Sequence, residues 1–262
     1  MIKRSLVALA VVALLLPASF AQGLGARADR GTARASAPNF ALKVGERLSY
    51  AVSWSNYIVA GELTLETKSR SLLDGVEAVH VSAEAQSVGL VRALVYKVND
   101  TYVSFINPAT MRPLRAEKHS RRGNKREQSS IVIDHKNRTA QTSDGRTIEI
   151  PADTYDMAGL LYAIRAMDLE IGRPRTFNLL ENNKLYAITV TAEAKEKVTT
   201  RLGSFDAIRM ATKMAGGRDS DLYNLKLYVT NDARRLPVLI TAEPSWGDVK
   251  VELTAADGIE KK

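Results

Sequence analysis

Turn signals recur along most of this 262-residue chain, and they limit what it can fold into. Asp74-Gly75, Gly123-Asn124, Asp144-Gly145, Asn182-Asn183, Gly216-Gly217, Asn231-Asp232 and Gly247-Asp248 separate runs rich in β-branched and aromatic residues. Such dipeptides supply the positive-φ conformations that tight hairpins need. With the prolines at 108 and 113 and the polar stretch 134–137, they recur at the roughly 8 to 12 residues expected of a chain of short strands.

The intervening runs carry the strand period. Leu42, Val44, Leu48 and Tyr50 share one parity and lead to Val52 and Trp54, and Leu63 and Leu65 alternate with polar neighbours after Gly61. Further strands are expected over 76–81, 91–106 (with Asn99-Asp100 as a bulge or turn), 147–150, 175–180, 185–192, 205–214, 222–230, 236–241 and 249–253. Residues 115–133 read as a hairpin whose tip is Gly123-Asn124.

One segment departs from this period. Met157, Leu160, Leu161 and Ile164 fall at i, i+3, i+4 and i+7, the spacing of a helix face. Asp153 or Thr154 can cap it, Asp156 suits its first turn, and Gly172 with Pro174 forbids continuation far past Met167. The expected fold is mainly β: a single antiparallel domain over residues 40–255, a curved or barrel-like sheet or a sandwich, with one short helix near 154–167.

What precedes the domain has a different character. Lys3 and Arg4, the apolar run 6–16 and the Ser19-Phe20-Ala21 triplet form the pattern of a secretory signal peptide over 1–21, with cleavage after Ala21. The apolar run has about half the length needed to span a bilayer. No later segment of the sequence reaches that length, so the mature chain is expected to have no transmembrane segment. Residues 22–39 hold Leu24 as their one large aliphatic side chain and read as a flexible tether; residues 256–262 read as a tail. The address implied is the periplasm.

Composition narrows the function classes. Removing the leader takes away Lys3 and Arg4 and no acid, so the formal charge of +8 becomes +6. That is a modest preference for anionic surfaces and not the charge of a nucleic-acid binder. The chain has no cysteine. A lipid-anchored amino terminus, disulfides, thiolate metal sites and thiol catalysis are thereby outside the expectation.

Four stretches carry a resemblance to a family of exported bacterial proteins known as domain of unknown function 3108. They are Val44-Gly45-Glu46-Arg47-Leu48-Ser49-Tyr50 with Trp54 and Gly61; Met111-Arg112-Pro113-Leu114; Asp156 with Leu161-Tyr162-Ala163-Ile164-Arg165 and Gly172; and Asn231-Asp232-Ala233-Arg234-Arg235-Leu236-Pro237-Val238 with Gly247 and the strand 249–253. The likeness covers roughly 40–254 and implies a single, predominantly antiparallel β domain behind a signal peptide. It brings no activity and no functional residue with it.

Chemistry is sparse. His80, His119 and His135 form no metal-ligand spacing, there is no nucleophile elbow, and no glycine-rich loop opens a helix. No catalytic residue, metal site or cofactor is assigned, and the chain is read as a non-enzyme. The strongest charge feature is the hairpin carrying Arg112, Arg115, Lys118, Arg121, Arg122, Lys125 and Arg126 against Glu117 and Glu127. Arg121, Arg122, Lys125 and Arg126 are candidate ligand-binding residues, alongside a reading in which they only keep a solvated hairpin from aggregating. Arg165 is a further candidate for an anionic ligand, unless it pairs with an acid or a strand-end carbonyl. Tyr50, Trp54, Tyr57, Tyr96 and Tyr102 are read as core, or as the lining of an apolar cavity if the sheet is cupped.

The leading expectation is non-enzymatic binding of an envelope component, a lipid or another apolar or anionic ligand. An anionic membrane surface or a protein partner could serve as the docking target. The alternative is an interaction or scaffold protein of envelope assembly, using the basic hairpin and an exposed sheet edge, with a hydrolase third.

Overall fold

A computed structural model describes residues 42–55, 58–95, 97–215, 224–244 and 247–259. The expected signal peptide and tether, the expected Gly216-Gly217 turn, Tyr57, Tyr96 and Trp246 lie outside the described residues.

Fifteen strands form one sheet. They are β1 (Arg47–Trp54), β2 (Ile58–Leu73), β3 (Val76–Ser87), β4 (Val98–Asn107), β5 (Arg112–Arg122), β6 (Lys125–Asp134), β7 (Thr139–Thr142), β8 (Thr147–Glu149), β9 (Thr154–Tyr155), β10 (Pro174–Glu181), β11 (Lys184–Thr200), β12 (Gly203–Ala215), β13 (Lys226–Thr230), β14 (Pro237–Ala242) and β15 (Val249–Asp257). Their order in the sheet is β8-β7-β6-β5-β4-β3-β2-β1-β15-β14-β13-β12-β11-β10-β9. Chain neighbours are therefore sheet neighbours, except that β1 pairs with β15 and the open edges are β8 and β9. Every ladder is antiparallel but β9–β10. The sandwich alternative is set aside: this is one open, curved sheet.

The turns form where the dipeptides stood. Asp74-Gly75 (φ 50° and 79°) and Asn182-Asn183 (φ 48° and 62°) take left-handed conformations at both central positions. That is the hairpin turn whose twist matches the flanking strands.

The helix α1 (Met157–Ala166) lies against the sheet. Leu160 and Ile164 pack with Leu179, Ile188, Val190, Ile208 and Met210, while Tyr162 and Ala163 join Leu48, Val79, Ile106 and Leu253. Gly159 permits the close approach, because a Cβ there would sit 2.7 Å from the Met111 carbonyl oxygen. A third cluster of Ile133, Ala140, Ile150 and Leu180 joins the β6–β7 side to β10, drawing the two ends of the sheet towards each other.

Several local expectations are corrected. The cap of α1 is Asp156 itself, whose carboxylate accepts from the Gly159 amide at 2.7 Å; Thr154 belongs to β9. Residues 91–106 are not one strand, since Val91–Val95 form a short π-helical turn and β4 starts at Val98. Asn99 and Asp100 are no turn: Asp100 is buried inside β4, with its carboxylate bonded to Ser120 and Arg122. β3 and β11 run on to Ser87 and Thr200, and β15 reaches Asp257, two residues into the expected tail. In each case cross-strand pairing carries the strand past the point where its sequence alternation fades.

Candidate functional site

Two groups of charged residues stand out, one inside the fold and one at its end. The inner group forms where side chains of α1 reach Glu46, at the start of β1, and Thr67 of β2. Glu46, just before β1, is 3% exposed and faces Arg165 of α1, whose side chain is wholly buried. Arg165 Nη1 and Nη2 donate to the two Glu46 carboxylate oxygens at 2.6 and 2.7 Å, and Nη2 also donates to the Arg234 carbonyl at 3.2 Å. The guanidinium carbon lies 5.0 Å from the Tyr162 ring centre. Tyr162 shares a 2.9 Å hydrogen bond with Thr67 of β2, and Tyr50 of β1 donates to the Pro237 carbonyl at 3.0 Å. Burial pushes the Tyr162 hydroxyl up to about 12, partly offset by Arg165.

Arg165 is thus taken up by an internal acid and a backbone carbonyl, not presented to a ligand. A fork-on-fork pair of this kind also fixes orientation, so it ties the helix to the start of β1 and, through the Arg234 carbonyl, to the β13–β14 connection. No local pattern points to the partner, because Glu46 lies 119 residues away.

A second buried carboxylate sits at the start of α1. Asp156 accepts from Gly159 N, from Tyr102 at 2.8 Å and from Ser104 at 2.5 Å. Burial raises its pKa against the opposing pull of these bonds. From there a polar lane follows the inward positions of β4 and β5. Lys118, opposite Tyr102, donates to Asn182 at 3.1 Å and lies 4.0 Å from Glu181, whose pKa burial pushes up to about 7. Further along, Asp100 accepts from Ser120 at 2.5 Å and from Arg122 at 2.6 and 3.0 Å.

The lane ends at the β5–β6 tip, the outer group. Arg121 pairs in register with Arg126, and Arg122 with Lys125, across Gly123-Asn124. Arg121, Lys125 and Arg126 are exposed; Arg122 is half-buried against Asp100. Like charges directly opposite each other in a ladder are unfavourable, so this tip carries an electrostatic strain that the fold does not require. The rest of the basic hairpin is engaged locally: Arg112 donates to the Ala152 carbonyl at 2.5 Å, and Arg115 meets Glu117 at 2.7 Å.

The histidines are scattered. His80 stacks on Phe105, His119 is 3.6 Å from Glu117, and both ring nitrogens of His135 face carbonyls, of Pro113 and Ala152. Among the described residues, no three His, Asp or Glu side chains converge to hold a metal ion.

The family model described as a protein of unknown function (DUF3108) matches residues 49–254. The chain belongs to this family. The stretches that carry the DUF3108 likeness meet around α1: Glu46 and Tyr50 from the first, Met111 from the second, Tyr162 and Arg165 from the third, Arg234 and Pro237 from the last. In this chain those stretches form a structural lock. Among solved structures, a β-barrel-like protein of the family DUF1849 from Brucella abortus is similar, at 10% identity and a TM-score of 0.56. That match covers 83% of this chain and 99% of the other, and it shows a shared fold. A DUF1089 family protein from Pseudomonas aeruginosa matches more loosely, at 11% identity and a TM-score of 0.43 over 68% and 88% of the two chains. No curated protein matches this DUF3108 chain in sequence. No helix among the described residues is long and apolar enough to cross a membrane.

Proposed function

We propose that this chain is an exported, non-enzymatic binding protein that engages an anionic component of the cell envelope through the β5–β6 end of its sheet. The observation that carries the reading is the pairing of Arg121 with Arg126 and of Arg122 with Lys125 across a two-residue tip. A hairpin selected for stability alone would alternate its charges. A clustered positive end instead favours phosphate or carboxylate groups approaching from outside.

The leader pattern supports an extracytoplasmic address. Two features weigh against the other readings. The two carboxylates that lie deepest, Glu46 and Asp156, already have both oxygens bonded to protein groups, which supports a structural role for them. Docking along a sheet edge has little to offer, because β8 and β9 are three and two residues long.

The test is sedimentation of the mature chain with vesicles of phosphatidylglycerol and phosphatidylethanolamine, against vesicles of phosphatidylcholine. Binding is expected on the anionic vesicles alone, and it should weaken steeply between about 50 and about 300 mM salt. Replacing Arg121, Lys125 and Arg126 together by Gln removes about 1 kcal/mol per charge, close to a hundredfold in all. Equal binding to both vesicle types, or indifference to salt, sinks the reading.

A further inference from the structure

The basic tip has an apolar neighbour. The connection from β3 to β4 is anchored by Val91, which is buried, and by the Val88 amide, which donates to the Ala60 carbonyl at 3.1 Å. Two of its leucines face solvent: Leu90 is 73% exposed and Leu94 78%. Four residues apart on one short helical turn, they project on the same side. Arg92 and Lys97 flank them, and the Gly123 amide at the hairpin tip donates to the Lys97 carbonyl at 2.8 Å. The two exposed leucines and the four basic residues of the tip therefore occupy one end of the sheet. Over residues 88–100 and 120–128, six basic side chains stand against Asp100 and Glu127, and Asp100 is already bonded to Arg122.

The opposite end gives a contrast. There Leu72 is 73% exposed, but it pairs with Glu77, and its apolar neighbour Val76 pairs with Leu73, one position along the ladder and on the other face. Arg70 and Glu77 neutralise each other at 2.6 Å. Exposed leucine occurs at both ends; leucine ringed by uncompensated positive charge occurs at one.

We infer that this end seats on an anionic lipid bilayer, Leu90 and Leu94 entering the boundary between headgroups and acyl chains while Arg121, Lys125 and Arg126 hold lipid phosphates. The inference rests on the proposed function and adds insertion to it. The chemistry is that of a peripheral protein, in which a few apolar side chains and a basic collar act together and neither suffices alone. Charge complementarity selects a bilayer over a neutral protein surface.

The chain lacks cysteine, so a single Leu94→Cys substitution gives a unique site for an environment-sensitive fluorophore, and Leu72→Cys gives its control at the far end. On phosphatidylglycerol-containing vesicles the label at position 94 is expected to shift to the blue and brighten, and the label at 72 to stay unchanged. Leu90→Ser with Leu94→Ser should weaken partitioning about tenfold without altering the circular dichroism spectrum, since both side chains are already in water. Salt-dependent binding with an unshifted label at 94, or with no loss in the double serine variant, overturns insertion and leaves the proposed function standing. No binding at all overturns both. A shift that appears without vesicles and grows with protein concentration means that the leucines meet a second copy, which also overturns the inference.

Discussion

The Glu46–Arg165 lock and the β5–β6 tip both concentrate arginine, and they handle its charge in opposite ways. Inside, a single guanidinium is fully desolvated and its charge is matched by a bidentate carboxylate, with a carbonyl and an aromatic face beside it, while its Nε has no partner. At the tip, Arg121 faces Arg126 and Arg122 faces Lys125, and only Arg122 has a carboxylate beside it. Burying a charge without a partner would unfold the chain, so the lock has to be complete. Exposed charges in water repel weakly, so the tip can afford to remain unbalanced and ready for an external anion. The structural arginine and the arginines proposed to bind are told apart here by what faces them, not by where they fall in the sequence.

That contrast can be broken at several points. The largest effect is expected at the lock. Glu46→Gln leaves Arg165 buried without its counter-ion and should lower unfolding stability by about 3–5 kcal/mol in urea titrations. Replacing the pair together, Glu46→Leu with Arg165→Met, should return most of that loss. A single variant within about 1 kcal/mol of the parent would show that the pair is no lock.

Next comes the helix start. Asp156→Ala removes the cap and strands the Tyr102 and Ser104 hydroxyls, for about 2–3 kcal/mol by the same measurement. Asp156→Asn, which can still accept from Gly159, should recover part of it.

Glu181 gives a pH dependence. Its folded pKa, near 7, lies above the ordinary carboxyl value of 4.5, so the folded state holds the proton more tightly than the unfolded chain. This group's contribution to stability is therefore greatest below pH 4.5, declines as the pH rises towards 7, and stays low above it. Glu181→Gln should match the parent near pH 5 more closely than at pH 8, where the variant is expected to be about 1–3 kcal/mol more stable. A gap that does not widen between those pH values would mean that Glu181 is ionised throughout.

The smallest stability effect carries the sharpest contrast. Arg126→Glu turns the repulsive pair with Arg121 into an attractive one, and should raise the melting midpoint by about 1–3 °C while weakening anionic vesicle binding. A variant both less stable and equally able to bind would remove the distinction between the two regions.

Local structure was readable in the residues, and long-range pairing was not. Asp74-Gly75 and Asn182-Asn183 announced their hairpins because the conformations they favour depend on those residues alone. The helix followed from the spacing of Met157, Leu160, Leu161 and Ile164, although its cap fell on Asp156 and not on Asp153 or Thr154. Residues 91–106 misled because Val91, Val95 and Val98 have the composition of a strand, and composition cannot show that Leu90 and Leu94 face water. The basic hairpin was found from its charge run, but the opposition of like charges needed the register. Arg165 could be narrowed to an acid, a carbonyl or a ligand; choosing among them required knowing that α1 brings it against Glu46, 119 positions away.

The strand order has a bearing on how the molecule comes into being. Almost every ladder joins strands that follow one another along the chain, so each can zip up soon after it emerges. The ladder between β1 and β15 is the exception, with Arg47 beside Asp257 and Trp54 beside Val249. Whenever the chain appears from its amino terminus onwards, at the ribosome or through a translocation channel, the outer edge of β1 waits unpaired until the last strand, β15, arrives. For that interval the nascent protein carries an open template for stray strands, and the step that joins the two halves of the sheet is also the one that ends its exposure.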